Sequence, residues 1–254
     1  MIIRTLTLLV LGLMTQSAMA IVNMADIHLN TIDQGIGGKV ALSLSSLSGN
    51  SNNQDYEAGA TLKWRGGKES RYLMLDTAYG ESNDVAYTDK GFVHLREIYQ
   101  MSPLLAWEAF AQVEQNRFAR LSLRQLYGGG ARFSFRQAEK LSFHLGTGLF
   151  QIDESLFDTG TSTDGGNTSL LRANLYLVLK YKVTDKIELV SSTYLQPALS
   201  DSGDWRLYED AALQVPLSKA LSLKLSLNYR HDNRPPQEVA PIDRSFKTSL
   251  EYRY

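Results

Sequence analysis

The sequence predicts an all-β chain, a transmembrane up-and-down antiparallel β-barrel of about twelve strands. Three observations carry that prediction. Apolar and polar residues alternate with period two along most of the chain, the mark of strands with two chemically different faces. The alternating segments reach about ten residues, the length a tilted membrane strand needs, whereas soluble strands average about five or six. Short and long connections alternate along the chain, as short periplasmic turns and longer outer loops would require.

Residues 1–20 read as a secretory signal. Arg4 supplies the positive start, an apolar run follows from Thr5 to Met14, and Ala18-Met19-Ala20 is a small-residue cleavage site. The run is too short to span a bilayer. Cleavage after Ala20 would start the mature chain at Ile21. With no Cys in the chain, no lipid can be attached there. Residues 21–35 are expected to be a periplasmic segment and 36–254 the barrel.

The apolar rows then follow one another. Val40, Leu42 and Leu44 form the first, and Tyr56, Ala58, Ala60, Leu62 and Trp64 the second. Leu73, Leu75, Thr77 and Tyr79 precede Val93, Leu95 and Tyr99, and then Trp107, Ala109, Ala111 and Val113. Leu121, Leu123 and Tyr127 precede Phe143, Leu145 and Leu149. Leu171 to Tyr181, Ile187 to Leu195, Trp205 to Val215 and Leu221 to Tyr229 repeat the pattern. Phe246, Thr248, Leu250, Tyr252 and Tyr254 end it. Glu97 and Glu209 fall on the apolar parity, so a membrane rim or a bulge is expected beside each.

Residues 66–70, 102–103, 137–140, 184–186 and 216–219 read as short turns. Residues 49–55, 80–91, 153–168, 197–204 and 231–243 read as long loops, rich in Asn, Asp, Ser, Gly and Thr. Only 115–120 is short where a long loop is due. Alternation alone would also suit a soluble barrel. Aromatics near strand ends on the apolar parity favour the membrane: Trp64, Tyr79, Tyr99, Tyr127, Tyr181, Trp205 and Tyr229 suit interfacial girdles. The strand ending at aromatic Tyr254 resembles the signal that barrel-assembly machinery reads. Expected partners are therefore that machinery and outer-membrane lipid, and the expected address is the bacterial outer membrane.

Composition narrows the function. The 254 residues carry a net charge of −1, which excludes a polybasic nucleic-acid binder. Zero Cys and four His leave neither a disulfide framework nor a ready metal centre. A mean hydropathy of −0.22 excludes several apolar helical spans. No cofactor or metal is expected.

The stretch from His94 to Glu154 carries a family resemblance. His94-x-Arg96, Trp107-Glu108-x-Phe110, Glu114-x-Asn116, Arg124 leading into Gly128-Gly129-Gly130, Gly146-x-Gly148 and Glu154 are the matching features. The chain resembles the bacterial domain-of-unknown-function family of salt-induced outer-membrane proteins. The resemblance implies a barrel of unassigned molecular role, with a link to salt or osmotic stress.

On the polar parity stand Arg96, Arg124, Arg132, Arg172, Lys180, Arg206 and Arg230, together with Glu108, Glu114, Glu188 and Asp210. One reading is a mutually neutralised wall, since buried charges must be paired. The other is a narrow pore whose cationic excess favours small anions. Twelve strands would place the lumen between filled eight-stranded and open sixteen-stranded barrels.

The expected function is structural or narrow-channel, not enzymatic. Two alternatives are weighed. For a lipid hydrolase, Ser142 and His144 share a face, but lie about 7 Å apart, which does not favour the pair; for a protease built from Asp and His, the candidate His231-Asp232 is expected in a loop. A binding module would display residues 153–168 and 231–243. Gly128-Gly129-Gly130 lacks the setting of a phosphate loop and is expected to mark curvature, with Tyr127 or Phe133 packed over it. Arg234-Pro235-Pro236 and Pro241 stiffen the last loop, as a lid over the mouth or against proteolysis.

Overall fold

A computed structural model describes residues 34–47, 52–136, 140–164 and 166–253. The proposed signal, the segment 21–33 and Tyr254 lie outside the described residues. Twelve strands form a closed barrel in which each pairs antiparallel with its sequence neighbour and β1 meets β12. They are β1 (Gly35–Leu47), β2 (Asn53–Gly66), β3 (Glu69–Ser82), β4 (Val85–Gln100), β5 (Leu105–Asn116) and β6 (Leu121–Arg136). The second half holds β7 (Leu141–Leu156), β8 (Asn167–Lys182), β9 (Glu188–Pro197), β10 (Trp205–Pro216), β11 (Leu221–Asp232) and β12 (Ile242–Arg253). The turns at the end where β1 begins are the shorter set overall, as periplasmic turns are in such barrels, and that end is named periplasmic on this ground.

The surface is inside out. Leu62, Leu75, Leu95, Trp107, Leu149, Leu177, Leu227 and Leu250 are exposed on the outer wall, while Arg96, Glu108, Arg124, Arg172 and Arg206 are buried in the lumen. Such a wall is stable only against lipid, because water would meet a continuous apolar belt. Closure matters for the same reason, since unpaired backbone groups are costly in a bilayer. The chain is an outer-membrane β-barrel protein.

Several local expectations change. Residues 80–91 are not a long loop: β3 and β4 run on to a two-residue turn at Asn83 and Asp84. Both turn residues have positive φ, 49° and 64°. Asn and Asp tolerate that conformation, and a turn with both central residues there matches strand twist. A register shift between Gly80 and Glu81 accompanies it. The connection after β5 is short, as its length in sequence suggests, and forms a 3-10 turn over Arg117–Ala119 with Asn116 as its cap. His231 lies in β11 rather than a loop, its ring edge-on to Trp205 with centroids 4.8 Å apart.

Glu97 sits near the periplasmic rim, 3.4 Å from Arg71. Glu209 stands in β10 without a bulge in its pairing; it accepts hydrogen bonds from Ser191 Oγ at 2.6 Å and from Thr193. The glycines of β6 answer a close approach of backbone, not of Tyr127 or Phe133. A Cβ on Gly130 would lie 2.2 Å from the Thr147 carbonyl oxygen, and one on Gly128 would lie 2.3 Å from that of Leu149.

Candidate functional site

The lumen gathers the charged residues, because period two sends every second side chain inward. At the outer level one chain of ions crosses it. Arg124 lies 3.3 Å from Glu114 on β5 and 2.5 Å from Glu154 on β7. Arg206 on β10 reaches back to Glu154, with Nη1–Oε1 at 2.8 Å and Nη2–Oε2 at 3.0 Å. Its Nε donates to Asp232 on β11 at 2.8 Å. Glu114 and Asp232 therefore anchor the two ends on opposite walls. All five side chains are buried.

Nearer the periplasm, Arg96 donates to Glu108 at 2.8 Å and Arg132 donates to the other oxygen at 3.2 Å. Tyr176 on β8 donates to the same carboxylate at 2.7 Å, across the lumen from β5. Around Tyr176 lies an apolar cluster of Met74, Val178, Val190, Tyr194 and Ala212, with Tyr72 and Phe92 against it. Met74 stands on β3 and the rest on β8 to β10, so the cluster bridges the barrel. The ring of Tyr176 lies against Gly146, where a Cβ would meet its Cε1 at 1.9 Å.

The outer mouth is capped. Arg120, in the left-handed region at φ 56°, donates to Asp164 at 2.7 Å, Ser162 at 2.6 Å and the Gln237 carbonyl at 2.9 Å. Asp164 also accepts from the Gln237 backbone N–H at 2.6 Å. That bond first, and the Arg120 guanidinium second, hold its carboxyl below the usual range. Arg234 is 2.7 Å from Asp201, which the Gly203 N–H and Arg234 likewise hold low. The last loop lays Pro235, Pro236 and Pro241 over Arg124, Glu154 and Arg206, leaving about 20 Å³, room for roughly one water. Of the two proline readings, the structure shows the lid.

The other predicted residues lie apart. Arg172 forms a two-oxygen pair with Asp204 at 2.8 Å, tying β8 to the loop before β10. Lys180 and Glu188 pair at 3.1 Å near the periplasmic end. Arg230 lies over the Tyr208 ring, 5.6 Å from its centre. Asp210 faces the lumen opposite Ser192 and Asn228. Ser142 and His144 are not brought together as a pair; the hydroxyl at His144 is that of Ser134, on β6, at 2.8 Å. Segments 153–168 and 231–243 contribute the loops that bind each other, through Thr163 to Gln237 and Thr161 to Glu238. Sequence reading missed the apolar cluster. Its signal was there, since Met74, Phe92, Tyr176, Val178 and Val190 occupy the polar parity.

No curated protein matches the sequence. Among solved structures, a NanC porin aligns with a TM-score of 0.48 at 10% identity, over 86% of this chain and 98% of that chain. The translocator domain of autotransporter NalP from Neisseria meningitidis aligns with a TM-score of 0.48 at 12% identity, over 90% and 92%. A KdgM porin aligns at 0.44 and 10% identity, over 86% and 99%. The profile of DUF481, a family described as proteins of unknown function, matches residues 40–254, and the chain belongs to that family.

Proposed function

We propose that this chain is a closed outer-membrane barrel that serves the envelope as a structural element and does not conduct as a standing pore. The observation that carries this is the ion chain from Glu114 to Asp232, which crosses the lumen directly beneath the loop cap. Pairing satisfies the arginines that a small-anion pore would need to present to solvent. The neutralised wall is thus the better of the two readings of the lumen charges.

The same feature suits the salt or osmotic link that the family resemblance implies. Salt screens exposed charge pairs strongly and buried ones much less. A lumen shut by buried pairs stays shut as ionic strength rises. The test is planar-bilayer recording of the refolded protein at about 0.1 M and about 1 M KCl, a range over which the Debye length falls from about 10 Å to about 3 Å. Silence at both is expected. Discrete steps would overturn the proposal, and with about 0.1 M and about 1 M KCl on opposite sides of the bilayer a reversal potential near that of chloride would favour the small-anion pore.

A further inference from the structure

The barrel closes on itself through very little. Among the described residues, the ladder between β1 and β12 consists of Lys39 with Arg253 and Val40 with Tyr252. Beyond Val40, β1 pairs only with β2, and β12 before Tyr252 pairs only with β11. A slot of about seven residues, roughly 23 Å along the strand, therefore runs toward the outer end. Backbone left unpaired at membrane depth is tolerated only where it is buried in protein or lines a water-filled cavity. Such a cavity, of about 110 Å³, lies directly behind the slot.

The cavity and the slot differ in chemistry. Lys39, Lys224 and Lys247 line the cavity together with Glu57, Asp76 and Glu251. The outer lips are Leu42 and Leu44 on β1 and Phe246 and Leu250 on β12, all exposed. Two ion pairs stitch the slot from the lumen side. Lys39 meets Glu251 at 2.8 Å at the closed end, with side chains 8% and 3% exposed. Lys247 meets Glu57 on β2, reaching past β1, with side chains 39% and 35% exposed. The seam thus loosens toward the outer end.

We infer that this seam is a lateral binding site for a zwitterionic phospholipid, whose acyl chains lie along the apolar lips and whose headgroup enters the cavity. Charge balance selects the headgroup. Three lysines face three carboxylates, so a net-neutral group can exchange into those pairs, with phosphate on lysine and ammonium on carboxylate. An anionic headgroup would leave a charge in excess where burial makes it costly.

The chain has no Cys, which permits a clean lock. Continuing the register of Lys39 with Arg253 sets Ser43 opposite Ser249. The double variant Ser43→Cys with Ser249→Cys is refolded into vesicles of phosphatidylethanolamine and phosphatidylglycerol. Native mass spectrometry then counts retained lipid. One phosphatidylethanolamine per barrel is expected when the thiols are reduced, at least fivefold over phosphatidylglycerol. Oxidation should lower it at least fivefold and reductant should restore it. Ser226→Phe fills the cavity from β11, beside Lys247 and away from the backbone lips of the slot, and should lose the lipid too. Equal retention in the locked barrel, or no preference between the two lipids, would overturn the inference.

Discussion

The wall from β4 to β10 and the wall from β11 through β1 to β2 are built from the same alternating strands, yet they treat the lumen differently. The first sends Tyr176 to Glu108 and Arg206 to Glu154, in each case from three strands away, so that these buried carboxylates have partners beyond their neighbouring strands. It also carries one half of the loop cap, Arg120 and Asp164, onto which Gln237 of the β11–β12 loop docks. The second keeps a cavity, ends in a two-pair seam and holds its outer stitch with half-exposed groups. The difference shows that strand pattern decides which face a residue takes, while closure depends on where partners lie across the ring.

Charge removal should separate the two walls most sharply. Glu154→Ala leaves Arg124 and Arg206 buried without their shared carboxylate, and a loss of about 3–5 kcal/mol is expected. Urea unfolding followed by heat-modifiable migration on a gel measures it. Next, Gly146→Ala drives a methyl into the Tyr176 ring, and overpacking of this kind costs about 1–3 kcal/mol. The same gel assay reads it, and Gly59→Ala, whose Cβ meets the end of Asp76 at 3.2 Å and the Leu75 carbonyl oxygen at an ordinary 3.8 Å, should be milder.

The loop cap should respond to acid. Asp164 has its carboxyl lowered in the folded cap, so its contribution is complete above the unfolded value and fades as pH falls through the folded one. Protection from hydrogen exchange in 157–164 and 233–241, taken relative to the intrinsic rate at each pH, should therefore be high at pH 7 and 5 and fall below the ordinary carboxylate range, about pH 4. Arg120→Ala should give fast exchange at every pH. The smallest effect belongs to the seam: Glu57→Gln removes a half-exposed pair and should cost under about 1 kcal/mol of barrel stability. A loss as large as that of Glu154→Ala would erase the contrast between the walls.

Much of this was legible in the sequence, and the reason is periodicity. Strand number and the lumen-facing parity of Arg96, Arg124, Arg172 and Arg206 follow from alternation alone. The segment 80–91 misled because Gly80, Asn83, Asp84, Asp89 and Gly91 have loop composition. Only the positive φ of Asn83 and Asp84 makes it a tight hairpin. The plug was not legible for a different reason. Glu108 and Tyr176 are 68 residues apart and three strands apart around the ring. Period two places both inside but says nothing of a contact across the lumen. The seam was hidden in the same way, since Phe246 to Tyr252 alternate as well as any other strand.

The most direct test compares single-channel recordings of three proteins: the unaltered chain, the plug variant Glu154→Ala with Tyr176→Ala, and the seam variant Glu57→Gln. The unaltered chain and the seam variant should be silent, while the plug variant should show discrete steps. Steps from the unaltered chain, or equal conductance from the seam variant, would contradict the claim that the β4 to β10 wall closes the lumen.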